Sequence, residues 1–231
     1  MATNLNLQEQ EQLDALKTFW KQYGNLITWS LILVLGAFAA WNGWQYWQRD
    51  QGLKAGALYD ELERAVTAGD ADRAGRVFGD LKERYPNTAF AQQGGLLAAK
   101  LQFDKDQPEA AKTTLGWLAE KGSEDELRTV ARLRLAAVQA EAKQFDEALK
   151  TLEGATAVGF EALVADRKGD VLMLQSKPTE ARQAYEAAYK AMPESLDYRR
   201  LIEAKLMALG AAPVAQTGVT VVAPAASAAK P

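Results

Sequence analysis

Apolar and polar positions follow two different regimes along this chain. Between Lys21 and Arg49 no charged residue occurs, and the gap holds one hydrophobic run, Leu26–Trp47 (LITWSLILVLGAFAAWNGWQYW). As a helix, 22 residues rise ~33 Å, which matches a hydrocarbon core of ~30 Å. From Leu53 onward, shorter segments dominated by Ala, Leu, Glu, Lys, Arg and Gln are broken by Gly, Pro, Asn and Asp. Those are strong helix formers separated by breakers. The pattern predicts an all-α chain: one spanning helix, then an array of shorter helices.

Aromatic residues sharpen the first regime. Phe19, Trp20, Tyr23 and Trp29 lie at one side of the run, and Trp41, Trp44, Tyr46 and Trp47 at the other. Five of the chain's six Trp fall here, so the clusters read as two membrane interfaces, with Trp20, Tyr23, Trp41, Trp44, Tyr46 and Trp47 at headgroup depth. Ala37-Phe38-Ala39 also fits a small-x-small cleavage site. A cleaved, periplasmic repeat adaptor in envelope assembly or signalling therefore stands as the alternative to a retained anchor. The acidic lead (Glu9, Glu11, Asp14) and the aromatic exit favour retention. Positive charges nearly balance across the run, with Lys17 and Lys21 before it and Arg49 and Lys54 after. Orientation is read from length: a short N-terminal tail stays in the cytoplasm and the long C-terminal part is exported. Thr28, Ser30, Gly36, Ala37, Ala39, Ala40 and Gly43 would permit close helix–helix approach within the bilayer.

The second regime repeats. Ala74, Ala111, Ala148 and Ala181 recur at spacings of 37, 37 and 33 residues, and each is followed four residues later by a large side chain: Phe78, Leu115, Leu152 and Tyr185. Leu81, Leu118, Ala155 and Ala188 come three residues further on, and Leu62, Ala99, Ala136 and Gly169 lie twelve upstream of each Ala. A small residue lets one helix of a pair approach the other closely, and the large one fills the seam a turn later. Periods near 34 residues are those of the tetratricopeptide repeat. The expected first helices are Leu53–Ala68, Thr88–Phe103, Asp125–Ala142 and Phe160–Gln175. The second helices are Ala71–Tyr85, Pro108–Lys121, Phe145–Ala155 and Pro178–Ala191, and Ser195–Leu209 closes the array. Gly69-Asp70 and Lys105-Asp106 mark turns within pairs. The expected organisation is a stub (1–25), a transmembrane helix (26–47), a tetratricopeptide-like α-solenoid of four helix pairs plus a terminal helix (48–209) and a disordered Ala/Pro-rich tail (210–231).

Composition removes whole classes of chemistry. The chain has no Cys and no His, so disulfides, thiolate metal sites and the usual general base are excluded. Its net charge of −3 argues against nucleic acid. No phosphate loop or nucleophile motif is found. Glu124-Asp125-Glu126 reads as a solvated helix start. No catalytic residue, metal or cofactor is expected.

Protein binding is the remaining class. Counted from each repeat Ala, the inward positions of the first helices are Tyr59, Glu63 and Val66; Leu96, Lys100 and Phe103; Leu133 and Ala137; and Asp166, Asp170 and Met173. Two readings of these positions stand side by side, a groove for segments of other proteins and a core facing the next pair.

The stub Glu11-Gln-Leu-Asp-Ala-Leu-Lys17-Thr-Phe-Trp20-Lys-Gln-Tyr-Gly24 resembles the cytoplasmic segment of the bacterial YfgM family, and Gly43-Trp44-Gln45-Tyr46-Trp47 resembles the aromatic exit of that family's spanning helix. The likeness extends over about residues 8–210. It implies a single-pass inner-membrane protein with a cytoplasmic N-terminus and a periplasmic repeat domain. It further implies an ancillary subunit of the SecYEG translocon that works with a PpiD-like chaperone on exported client proteins, with a link to envelope stress.

Overall fold

The computed structural model describes residues 7–211, and the regular structure among them is entirely helical. The helices are α1 (Leu7–Thr67), α2 (Ala71–Arg84), α3 (Ala89–Asp104), α4 (Pro108–Lys121), α5 (Asp125–Glu141), α6 (Phe145–Glu153), α7 (Glu161–Leu174), α8 (Pro178–Ala191) and α9 (Tyr198–Ala208). The chain divides between Ala57 and Leu58 into two compact units. The expected tail lies, beyond Ala211, outside the described residues.

The first unit is the long N-terminal part of α1. Among the described residues this is the one helix long and apolar enough to cross a membrane, with mean hydropathy 1.6 over its most apolar window. From Glu11 to Arg49 its side chains are exposed, including Leu33 at 72% and Trp29 at 66%, so nothing within the unit buries them. Polar side chains inside the run bond back to their own helix: Thr28 Oγ1 donates to the Gly24 carbonyl at 2.8 Å, and Asn42 Nδ2 to that of Phe38 at 2.9 Å. Such internal satisfaction is what a hydrocarbon environment requires.

The second unit is an array of helix pairs. The end of α1 from Leu58 and helices α3, α5 and α7 are the first members; α2, α4, α6 and α8 are the second. Consecutive helices pack on one another, and first helices also touch across pairs, α3 with α5 and α5 with α7. The repeat positions carry the packing. Ala74, Ala111, Ala148 and Ala181 are all fully buried, and Phe78, Leu115, Leu152 and Tyr185 are no more than 3% exposed. Leu62, Ala99 and Ala136 face them from the first helices. In the fourth pair this place is taken by Gly169, where an added Cβ would lie 2.4 Å from the Tyr185 ring. Middle pairs replace one apolar contact by a polar one: Thr114 Oγ1 donates to Gln102 Oε1 at 2.9 Å, and Thr151 Oγ1 to Gln139 Oε1 at 2.8 Å.

The turns within pairs share one conformation. Gly69, Asp106, Lys143 and Ser176 have φ of 69°, 59°, 60° and 61°, and they recur with the period of the repeat Ala. Each closes the preceding helix by a paired bond, as in Asp106 N to Phe103 O (3.0 Å) and Gln107 N to Gln102 O (2.8 Å). Helix starts are set by Asp70, whose Oδ1 accepts from Arg73 N at 2.9 Å, by Thr88 and by Pro108 and Pro178 at first-turn positions. Three arginines reach the C-terminal ends of second helices, where carbonyls lack intrahelical donors: Arg128 to Gly122 O, Arg132 to Gly154 O and Arg199 to Met192 O. The expected bounds of α4 and α8 coincide with the observed ones, whereas α9 starts at Tyr198 rather than Ser195.

Candidate partner-binding surface

The first helices bring three of the expected groove residues to one cleft. Lys100 and Phe103 of α3 and Ala137 of α5 line a hollow of about 280 Å³, together with Ala99, Leu115 and Val138. Arg134, Glu141 and Arg167 complete its wall. Phe103 is half-buried against the Ala99–Leu115–Val138 cluster, so the floor is apolar and the wall charged. Lys100 Nζ is hydrogen-bonded to Asp104 on its own helix. Arg134 donates to the Leu96 carbonyl at 3.5 Å, and Arg167 lies 3.7 Å from Asp170.

Other expected positions lie elsewhere. Tyr59 stacks on Phe90 with ring centroids 5.5 Å apart, and burial, reinforced by Glu63, raises its phenol above the usual range. Glu63 is exposed on a shallow surface with Asp60 and Arg64. Val66 packs on the Leu62–Ala65–Phe78 cluster, and Leu133 on the Ala136–Leu152–Val171 cluster. Leu96 bridges two clusters, touching the one built on Leu115 and the one built on Leu118. Met173 is 39% exposed at the end of α7, beside Leu174.

Asp166 and Asp170 are engaged with the terminal helix. Asp166 is 1% exposed; both of its carboxylate oxygens accept from Lys205 Nζ at 2.8 Å, and Oδ2 accepts from the Tyr198 hydroxyl at 2.8 Å. Asp170 Oδ1 accepts from Lys205 Nζ at 2.7 Å and from the Tyr185 hydroxyl at 2.8 Å. Burial, aided by the bond to Asp166, pushes the Tyr198 phenol up to about 12, and burial with the Asp170 bond raises Tyr185 further. Ile202 and Leu206 complete the contact from α9. A charged side chain at position 166 is therefore inside the packing and inaccessible to a partner.

Sequence reasoning missed Arg134, Glu141 and Arg167 in the cleft, and Lys205 and Tyr198 at the array's end. Arg134 and Arg167 each follow an expected inward position by one residue and lie one repeat of 33 apart, which was the available signal. Nothing in the sequence paired Lys205 with residues nearly forty positions away.

On the first unit, all six expected interfacial aromatics are exposed, from 45% at Tyr23 to 77% at Tyr46. Trp44 and Trp47 pack at 5.3 Å between centroids, and the Trp20 ring lies over Gly24.

Comparison with known proteins covers both units. Residues 17–211 match the family model described as tetratricopeptide repeat-like domain. A protein of Neisseria gonorrhoeae named ancillary SecYEG translocon subunit is 30% identical over 205 residues, 88% of this chain and 98% of that protein. The chain belongs to this family. Proteins of the same name from Escherichia coli and Haemophilus influenzae are 33% and 28% identical, covering 79% and 80% of this chain and 88% and 91% of theirs. The family's members named here are ancillary translocon subunits, and the repeat unit is of the protein-interaction kind.

Proposed function

We propose that the protein is a membrane-anchored interaction module acting as an ancillary subunit of the Sec translocon. In this reading residues 26–47 hold it in the bacterial inner membrane with the stub in the cytoplasm and the repeat unit in the periplasm. The repeat unit then stands near the channel exit and scaffolds chaperoning of exported chains, alone or with a PpiD-like chaperone. The observation that carries the proposal is the alignment with translocon subunits through both the apolar helix and the repeats. The exposed apolar side chains of α1 support a lipid or channel contact, and the cleft on α3 and α5 supports contact with polypeptide. No catalytic step is assigned.

Site-specific photocrosslinking in cells tests it. Probes at Trp29 and Phe38 are expected to capture channel subunits, and probes at Phe103 and Ala137 exported chains or a chaperone. Absence of translocon and exported proteins from every position refutes the reading. A mature N-terminus near Ala40 would replace it with the cleaved periplasmic adaptor.

A further inference from the structure

We infer that the cleft on α3 and α5 selects polypeptide segments in which a bulky apolar side chain lies next to a carboxylate, with Arg134 as the carboxylate's partner. The inference rests on the proposed protein-binding role and adds a chemical preference to it. The hollow of about 280 Å³ falls below the range of sites for whole small molecules and suits one or two side chains. Its floor, Phe103 with Ala99, Leu115 and Val138, has no charge to satisfy.

The wall decides the sign. Three cations, Lys100, Arg134 and Arg167, border the hollow against one anion, Glu141, on a chain whose net charge is −3. Their states differ. Lys100 is held by Asp104. Arg167 has only a 3.7 Å approach to Asp170, whose Oδ1 already takes Lys205 and Tyr185. Arg134 is exposed and has no ion-pair partner among the described residues; its single contact is a long bond to the Leu96 carbonyl. A guanidinium left in this state presents a planar fork suited to a carboxylate. Glu141 lies two helical turns further along α5 than Arg134, so these two opposite charges are separated along the wall of the hollow. A bound segment would thus place its acidic group at the Arg134 end and its apolar group over Phe103.

The test uses the full chain in detergent micelles. Fluorescence anisotropy is measured with three labelled peptides of one Leu-Phe centre, flanked by Asp, by Ser or by Lys. The expected result is that the Asp peptide binds about tenfold tighter than the Lys peptide at low salt, the gap closing as salt rises. Arg134→Glu should abolish or invert that order, while Arg76→Glu on α2, outside the cleft, should leave it intact. Equal binding of all three peptides, lost in Phe103→Ala with an unchanged circular dichroism spectrum, overturns the charge preference and leaves the protein-binding role standing. Binding of none overturns both. Tighter binding of anionic lipid micelles than of the Asp peptide, also lost in Arg134→Glu, overturns the peptide inference in favour of a lipid surface.

Discussion

Replacing Gly169 by Ala should harm the fourth helix pair, although Ala is the better helix former. The new Cβ would lie 2.4, 2.6 and 2.9 Å from three atoms of the Tyr185 ring. The ring cannot swing aside cheaply, since Tyr185 is 3% exposed and its hydroxyl is bonded to Asp170. Overpacking of this kind costs about 2–3 kcal/mol, and the gain in helix propensity returns about 1. The net loss is about 1–2 kcal/mol, a fall of about 2–8 °C in Tm for a unit of this size. The other pairs show the remedy. Where the facing residue is Ala99 or Ala136, the seam residue is Leu115 or Leu152. In a Tyr185→Leu background, Gly169→Ala should therefore become stabilising by about 0.5–1 kcal/mol. The four proteins of the cycle are compared by urea denaturation followed at 222 nm, with the full chain in micelles. If Gly169→Ala has the same effect with and without the Tyr185 ring, the steric account is refuted.

Further outcomes follow from the same structure. Lys205→Met leaves the carboxylate of Asp166 buried with only Tyr198 as donor and should cost about 2–4 kcal/mol by denaturant titration; adding Asp166→Leu should recover much of it. Lys143→Gly relieves a left-handed residue and should raise stability by about 0.5 kcal/mol after the entropy of the unfolded chain is counted, whereas Gly69→Ala should lower it by about 1. The Tyr198 phenol is raised in the folded state, so its contribution is complete below the ordinary value near 10 and is lost as pH rises through about 12. Thermal stability should accordingly fall between about pH 10 and 12, and less in Tyr198→Phe; an equal fall in both variants refutes the assignment.

Most of the fold was legible because the repeat is written in residue size. A fully buried Ala must stay small and its partner four residues on must stay large, so the two together leave a period that sequence alone reveals. The cleft was half legible. Lys100, Phe103 and Ala137 followed from counting along the inward faces of two first helices, but the contributions of Leu115 and Arg167 depend on how separate helices adjoin. Asp166 and Asp170 were placed on the correct helix and among its inward positions, but not against the terminal helix. A pair of acids looks solvated until its partners are known, and Lys205 and Tyr198 arrive from a helix beyond the last repeat. Two of the four turns were legible, at Gly69-Asp70 and Lys105-Asp106, but the left-handed conformation is announced by its residue only at Gly69; Asp106, Lys143 and Ser176 adopt it without a glycine.

The buried carboxylate also marks the end of the array. Tyr59, Leu96 and Leu133 hold the equivalent place in the earlier pairs, and each rests on neighbouring apolar side chains. Such positions take a following pair without burying a charge. Asp166 does not. A fifth pair laid over α7 and α8 would confront it with aliphatic carbon and no proton donor, at the cost of a stranded charge. One side chain thus marks this face as the end of the stack, suited to α9 with its Lys205 and Tyr198 and unsuited to a further apolar pair, a full stop read in space rather than along the chain.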